Sequence, residues 1–173
     1  MTESQSPSDP SAEQQLPRLL GDAAVAGARA EFALRCLMVG LLDSDYVEVI
    51  AAGRSMGSLI NDCTALVKVS TQLDDTQRNE VSALLDRTKG LSKDRNRLVH
   101  GMLAMDQSGG PTGEPTAITV LYGDPHKPGR SKSLTVAEAQ EAAKSLRTTG
   151  DELLVWVFGN LRAARRQQVL PSA

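Results

Sequence analysis

Residues 74–102 read DDTQRNEVSALLDRTKGLSKDRNRLVHGM. Val81, Leu84, Leu85, Thr88, Leu91, Leu98 and Met102 recur at helical spacing, so one long amphipathic helix is expected, with an apolar side to bury. Asp74 and Asp75 stand at its start, where the helix dipole favours negative charge. Gly90 is an imperfection in the pattern, and the helix is expected to persist to about residue 105. Near its end, residues 95–101 crowd two arginines, an asparagine and one of the chain's two histidines together.

Working outward, a first helix is expected from about Pro17 to Leu42, because proline suits a first helical turn. Val25, Ala28, Phe32, Cys36 and Val39 form its apolar stripe, and Leu34, Leu37, Met38 and Leu41 widen it to a second side. A second helix is expected over residues 45–70, capped by Ser44. Gly53 and Gly57 within it mark either the close approach of another helix or a local kink. Beyond residue 105 the composition shifts to DQSGGPTGEPT, a loop. Residues 117–122, AITVLY, read as a strand, GDPHKPG as a turn, and residues 130–134 as a returning strand. Thr135 and Glu138 then fit a capping box opening a last helix to about residue 168. Its stripe is Val136, Gln140, Ala143, Leu146, Gly150, Leu153, Val157 and Leu161. The expected class is all-α: an antiparallel helical bundle over residues 17–173, with a β-hairpin insertion at about 116–134 before the last helix.

At 173 residues the chain is one domain by default, large enough for a substantial core. Residues 1–16 are Ser-, Pro- and Gln-rich and read as a disordered arm, without the basic start and apolar run of a signal peptide. No apolar run approaches a membrane span. A cytoplasmic location, no membrane partner, no cofactor and no metal are the corresponding expectations. Neither a CxxC nor a His/Cys grouping at zinc spacing occurs, and Cys36 and Cys63 read as buried small hydrophobes. A net charge of −2 gives no global signal for nucleic acid, and 3% aromatic residues argue against base-stacking platforms. Local charge differs: residues 86–100 carry Arg87, Lys89, Lys93, Arg95 and Arg97 against Asp86 and Asp94, a balance of +3. Further cations lie at His126, Lys127, Arg130 and Lys132, and at Arg162, Arg165 and Arg166. His126 itself reads as an ordinary loop residue, and Trp156 and Phe158 as core or dimer-interface residues.

On the long helix, Asn96 and His100 share a face, whereas Arg95 lies about 140° around from His100. Arg95 continues the apolar line instead. A buried arginine needs a partner, and Glu31, Glu48 and Asp62 are candidates.

Arg95-Asn96-Arg97-Leu98-Val99-His100 resembles the hallmark of the HEPN superfamily: an arginine, usually followed by a polar residue, then a histidine after four to six residues. The helical-bundle expectation agrees with that resemblance over roughly residues 18–168. The resemblance implies metal-independent cleavage of RNA by its own 2′-OH, in a toxin or defence-type effector, with Arg95, Asn96 and His100 as catalytic residues. His100 exchanges protons near neutrality, and Arg95 presents a planar fork to phosphate. Asn96 either orients the histidine or holds a phosphate oxygen, and Lys93 and Arg97 bind RNA. The implied assembly is a homodimer through the motif helix, with an antitoxin or other regulator as a further partner. Two other readings are a helical dimerising or RNA-binding module without turnover, and a plain structural bundle.

Overall fold

A computed structural model describes residues 12–44, 46–100, 102–106, 117–123 and 131–161. The order is α1 (Ala12–Leu42), α2 (Val47–Ala51), α3 (Met56–Val69), α4 (Asp75–His100), β1 (Met102–Asp106), β2 (Ala117–Gly123), β3 (Ser131–Leu134) and α5 (Val136–Asn160). Helix predominates, as the long periodic segments require.

α1 starts at Ala12, so Pro17 stands inside the helix rather than in its first turn. Its buried side is Ala23, Ala26, Ala30, Ala33, Leu34, Leu37, Met38 and Leu41. Of the stripe through Val25, Ala28, Phe32, Cys36 and Val39, the first part is turned outward, with Val25 58% and Phe32 54% exposed, while Cys36 and Val39 pack partly buried against the core. Small residues explain the choice. A Cβ built at Gly150 of α5 would lie 3.3 Å from the backbone of Ala30, so the two helices approach backbone to backbone. The alanine side allows that approach, and the Val25–Phe32 side does not.

The helix expected over residues 45–70 is two helices. Gly53 has φ 72°, a left-handed conformation that ends α2. The Ser55 side chain then caps α3 by accepting from the Ser58 N–H at 3.3 Å. Among the described residues, nothing beyond its chain neighbours lies within 4 Å of a Cβ at Gly53, so that glycine makes a break and not a helix crossing. Ser44 accepts from the Tyr46 N–H, while the N-cap position of α2, Tyr46, makes no side-chain cap bond.

α4 opens with a reciprocal pair: Asp74 Oδ1 accepts from the Gln77 N–H at 2.8 Å, and Gln77 Oε1 from the Asp74 N–H at 3.1 Å. It ends at His100, and what was expected as further helix to residue 105 is β1. An isolated two-stranded hairpin is therefore not what separates α4 from α5. The strands form an antiparallel sheet in the order β1-β2-β3, with Met102 opposite Leu121 and Val120 opposite Leu134. The expected loop at 107–116 and the turn at 124–130 lie outside the described residues, as do the arm at 1–11 and the tail at 162–173.

α5 opens with the expected capping box of Thr135 and Glu138. It buries Ala139, Ala143, Leu146, Leu153, Val157 and Leu161, while Gln140 is exposed. Directions follow from cross-contacts. Gln77 meets Asn160, Trp156 Nε1 donates to Glu80 at 2.9 Å, and Arg87 pairs with Glu152 at 2.7 Å, so α4 and α5 run antiparallel. Ala30 faces Gly150 and Gly40 faces Leu161, so α1 and α5 run parallel. The expected all-antiparallel arrangement is thus mixed: α4 opposes both neighbours, which leaves those two pointing the same way.

Leu34, Leu37, Leu59, Leu85, Leu146 and Leu153 are fully buried in the main core, each contributing about 1.5–3 kcal/mol. Cys63 lies among them as a free thiol and donates to the Leu34 carbonyl at 3.4 Å. Burial, with the nearby Asp62 charge, pushes that thiol up to about 12, so it stays protonated. Trp156 belongs to this core, and Phe158 packs partly buried against it.

Candidate functional site: the end of the motif helix

A second, smaller core fixes the end of α4. Leu98 is buried with Leu19 and Ala23 of α1 and Ala139 and Ala143 of α5. This wedge sets how the last turns of α4 sit between their neighbours. Leu98→Ala is expected to cost about 2–5 kcal/mol, the usual range for a buried leucine truncated in place. Chemical denaturation checks it. A loss under about 1 kcal/mol would mean that the end of α4 is held by other means.

Arg95 lies one turn before Leu98 on the same inward side, partly buried against α1. Its Nη1 donates to Asn96 Oδ1 at 3.1 Å. Its Nε is buried and has no hydrogen-bond partner among the described residues. The point of contact on α1 is Gly27, where an added Cβ would lie 2.8 Å from Arg95 Nε and 3.3 Å from Nη2.

The carboxylates proposed for Arg95 are engaged elsewhere or absent from its contacts. Glu31 pairs with Arg35 and Asp62 with Arg54, and no ion pair of Glu48 occurs among the described residues. The other partly buried arginines contrast with it. Arg35 and Arg97 each hold a carboxylate, and Arg78 donates to the carbonyls of Val67, Ser70 and Leu73. Among the described residues, Arg95 alone of this group has neither a carboxylate nor a carbonyl. A desolvated N–H left unpaired costs free energy, about 1–3 kcal/mol for a neutral group and more for a charged one.

The remaining predicted residues divide. Asn96 is exposed and holds Arg95. Lys93 is exposed on the outer side of α4. Arg97 is tied to Asp94 one turn back, which offsets its charge. His100 is the last residue of α4, so Arg95 and His100 stand on one continuous helix. The cations at 126–130 and 162–166 lie outside the described residues.

A groove of about 620 Å³ flanks α4 on its α5 side. Asp86, Asp94 and Glu141 line it beside Arg87 and Lys144, and Arg87 is already held by Glu152. That balance does not suit a phosphate chain, whereas the α1 side of α4 carries the guanidinium without a counter-ion. Gly27 is the residue that sequence reasoning missed. Its signal was a glycine inside the alanine-rich run AAVAGARA, residues 23–30.

No family model, curated protein or solved structure matches the chain.

Proposed function

We propose that the chain is a HEPN-like endoribonuclease of the toxin or defence-effector kind, acting in the cytoplasm on RNA without a metal. The observation that carries this reading is Arg95: a partly buried guanidinium with no counter-ion among the described residues, on the same helix as His100. An anion is the complement that such a group lacks, and a phosphodiester supplies one.

In the proposed reaction, the 2′-OH attacks the adjacent phosphorus and loses its proton to a base. The P–O5′ bond breaks and the leaving oxygen takes up a proton. The products are a cyclic phosphate and a 5′-OH, with no net water consumed. His100 is the group that exchanges these protons. Arg95 stabilises the charge building on the phosphorane oxygens. Asn96 holds the Arg95 fork in place, with Lys93 supplying charge along the RNA and Arg97 doing so by exchanging Asp94 for a phosphate. The test is purified protein with mixed RNA in excess EDTA. Cleavage there supports the reading, and intact RNA contradicts it.

One observation favours a second reading, an RNA-binding or dimerising module without turnover. The Asn96 amide oxygen is occupied by Arg95 of its own chain and so is committed to positioning the cation. Such a module would bind RNA and leave it intact.

The proposed assembly is a two-fold dimer through α4, in which the arginine of one protomer and the histidine of the other serve one phosphate. Its motivation is the turn of about 140° between Arg95 and His100 on one helix. Light scattering at micromolar concentration is expected to give twice the 18.4 kDa chain mass. A monomer that still cleaves RNA would defeat this arrangement. An antitoxin or other regulator belongs to the same proposal.

A further inference from the structure

We infer that Gly27 is a positioning residue: its missing side chain forms the seat on α1 in which the Arg95 guanidinium is held, without a counter-ion, for a phosphate of RNA. The RNA part of this inference rests on the function proposed above, while the seat itself stands on geometry.

Gly27 is buried near the middle of a 31-residue helix. Glycine is a poor helix former beside alanine, and the neighbouring positions 23, 24, 26, 28 and 30 are all alanine. Propensity alone would therefore favour alanine at 27 as well. What opposes it is Arg95. A Cβ at Gly27 would sit 2.8 Å from Nε, closer than side-chain carbons come to other atoms, and 3.3 Å from Cζ and Nη2. Gly21, elsewhere in α1, meets nothing within 4 Å among the described residues, so a glycine in this helix does not by itself imply a contact.

The seat also accounts for the unpaired Nε. The edge of the guanidinium is pressed against α1 where the helix offers no carboxylate, and Asn96 fixes Nη1 from the other side. The fork is held by shape and one amide rather than by a counter-ion. A counter-ion would compete with any incoming phosphate. A glycine seat does not.

The test is a cycle of four proteins: wild type, Gly27→Ala, Arg95→Ala and the double variant. Each is read by melting temperature and by binding of a short single-stranded RNA in EDTA. In the Arg95→Ala background the seat is empty, and Gly27→Ala is expected to raise the melting temperature by about 2–4 °C through helix propensity. In the wild-type background the same change is expected to give a smaller rise or none, because the Arg95 guanidinium must shift aside. RNA binding is expected to weaken about 10- to 100-fold in Gly27→Ala, the range for a lost hydrogen bond to a charged group, with no further loss in the double variant beyond Arg95→Ala. A purely structural glycine would not show this non-additivity.

An equal rise in melting temperature in both backgrounds would overturn the seat. Unchanged RNA binding by Gly27→Ala, with binding lost in Arg95→Ala, would also overturn it and leave the ribonuclease reading standing. If the wild type neither binds nor cleaves RNA, the ribonuclease reading fails, and the melting cycle still decides whether Gly27 seats Arg95.

Discussion

His100→Ala is expected to reduce RNA cleavage by about 10²- to 10⁴-fold, the range that a positioned acid or base contributes to a proton-transfer step. The proposed chemistry moves a proton off the 2′-oxygen and another onto the leaving 5′-oxygen, and His100 is the group assigned to both. The fold should survive the change. Leu98, with Leu19, Ala23, Ala139 and Ala143, anchors the end of α4 two residues earlier, and the strands that follow pair through their backbones. Circular dichroism and the melting temperature are therefore expected to match the wild type within a few degrees. Cleavage by the variant at wild-type rate would remove His100 from the mechanism.

Arg95 should separate activity from stability in the opposite sense to most buried residues. Arg95→Lys keeps the positive charge but loses the planar fork, and the activity is expected to fall about 10²- to 10³-fold, as when a transition-state donor is removed. Arg95→Met keeps an unbranched stem against Gly27 and removes the unpaired Nε. Its stability is expected to hold or to rise, by up to about 1–3 kcal/mol, the cost of the one desolvated N–H that is removed. Its RNA cleavage is expected to be lost. A variant that melts far below wild type while each folded molecule keeps full activity would instead make Arg95 a structural residue.

The long helix and its motif were legible because their signals are local. The line through Val81, Leu85 and Leu98 predicted α4, and Thr135 with Glu138 predicted the start of α5 through a capping box that the structure contains. Arg95 on the inward side followed from the same register. What was not legible depended on neighbours. The two apolar sides of α1 looked alike as patterns, and only the backbone contact between Ala30 and Gly150 selects the alanine side. Gly53 read equally as a crossing or a kink, and its left-handed backbone decides for a break. Residues 102–106 are a short apolar run after a glycine, compatible with helix or strand until β2 is present to pair with them. Burial of a cation normally demands a carboxylate, and that rule points to Glu31, Glu48 and Asp62 as partners of Arg95. Its surroundings supply Asn96 and a glycine, a combination that no spacing rule anticipates.

The proposed reaction joins an RNA phosphate to the RNA's own 2′-oxygen without a metal. The most direct measurement is end-group analysis of RNA cleaved by the purified wild-type protein in excess EDTA, with His100→Ala prepared in parallel. Fragments bearing 5′-OH and 2′,3′-cyclic phosphate ends, absent with the variant, are the predicted result. Fragments with 5′-phosphate and 3′-OH ends, or cleavage that stops when EDTA is added, would contradict it.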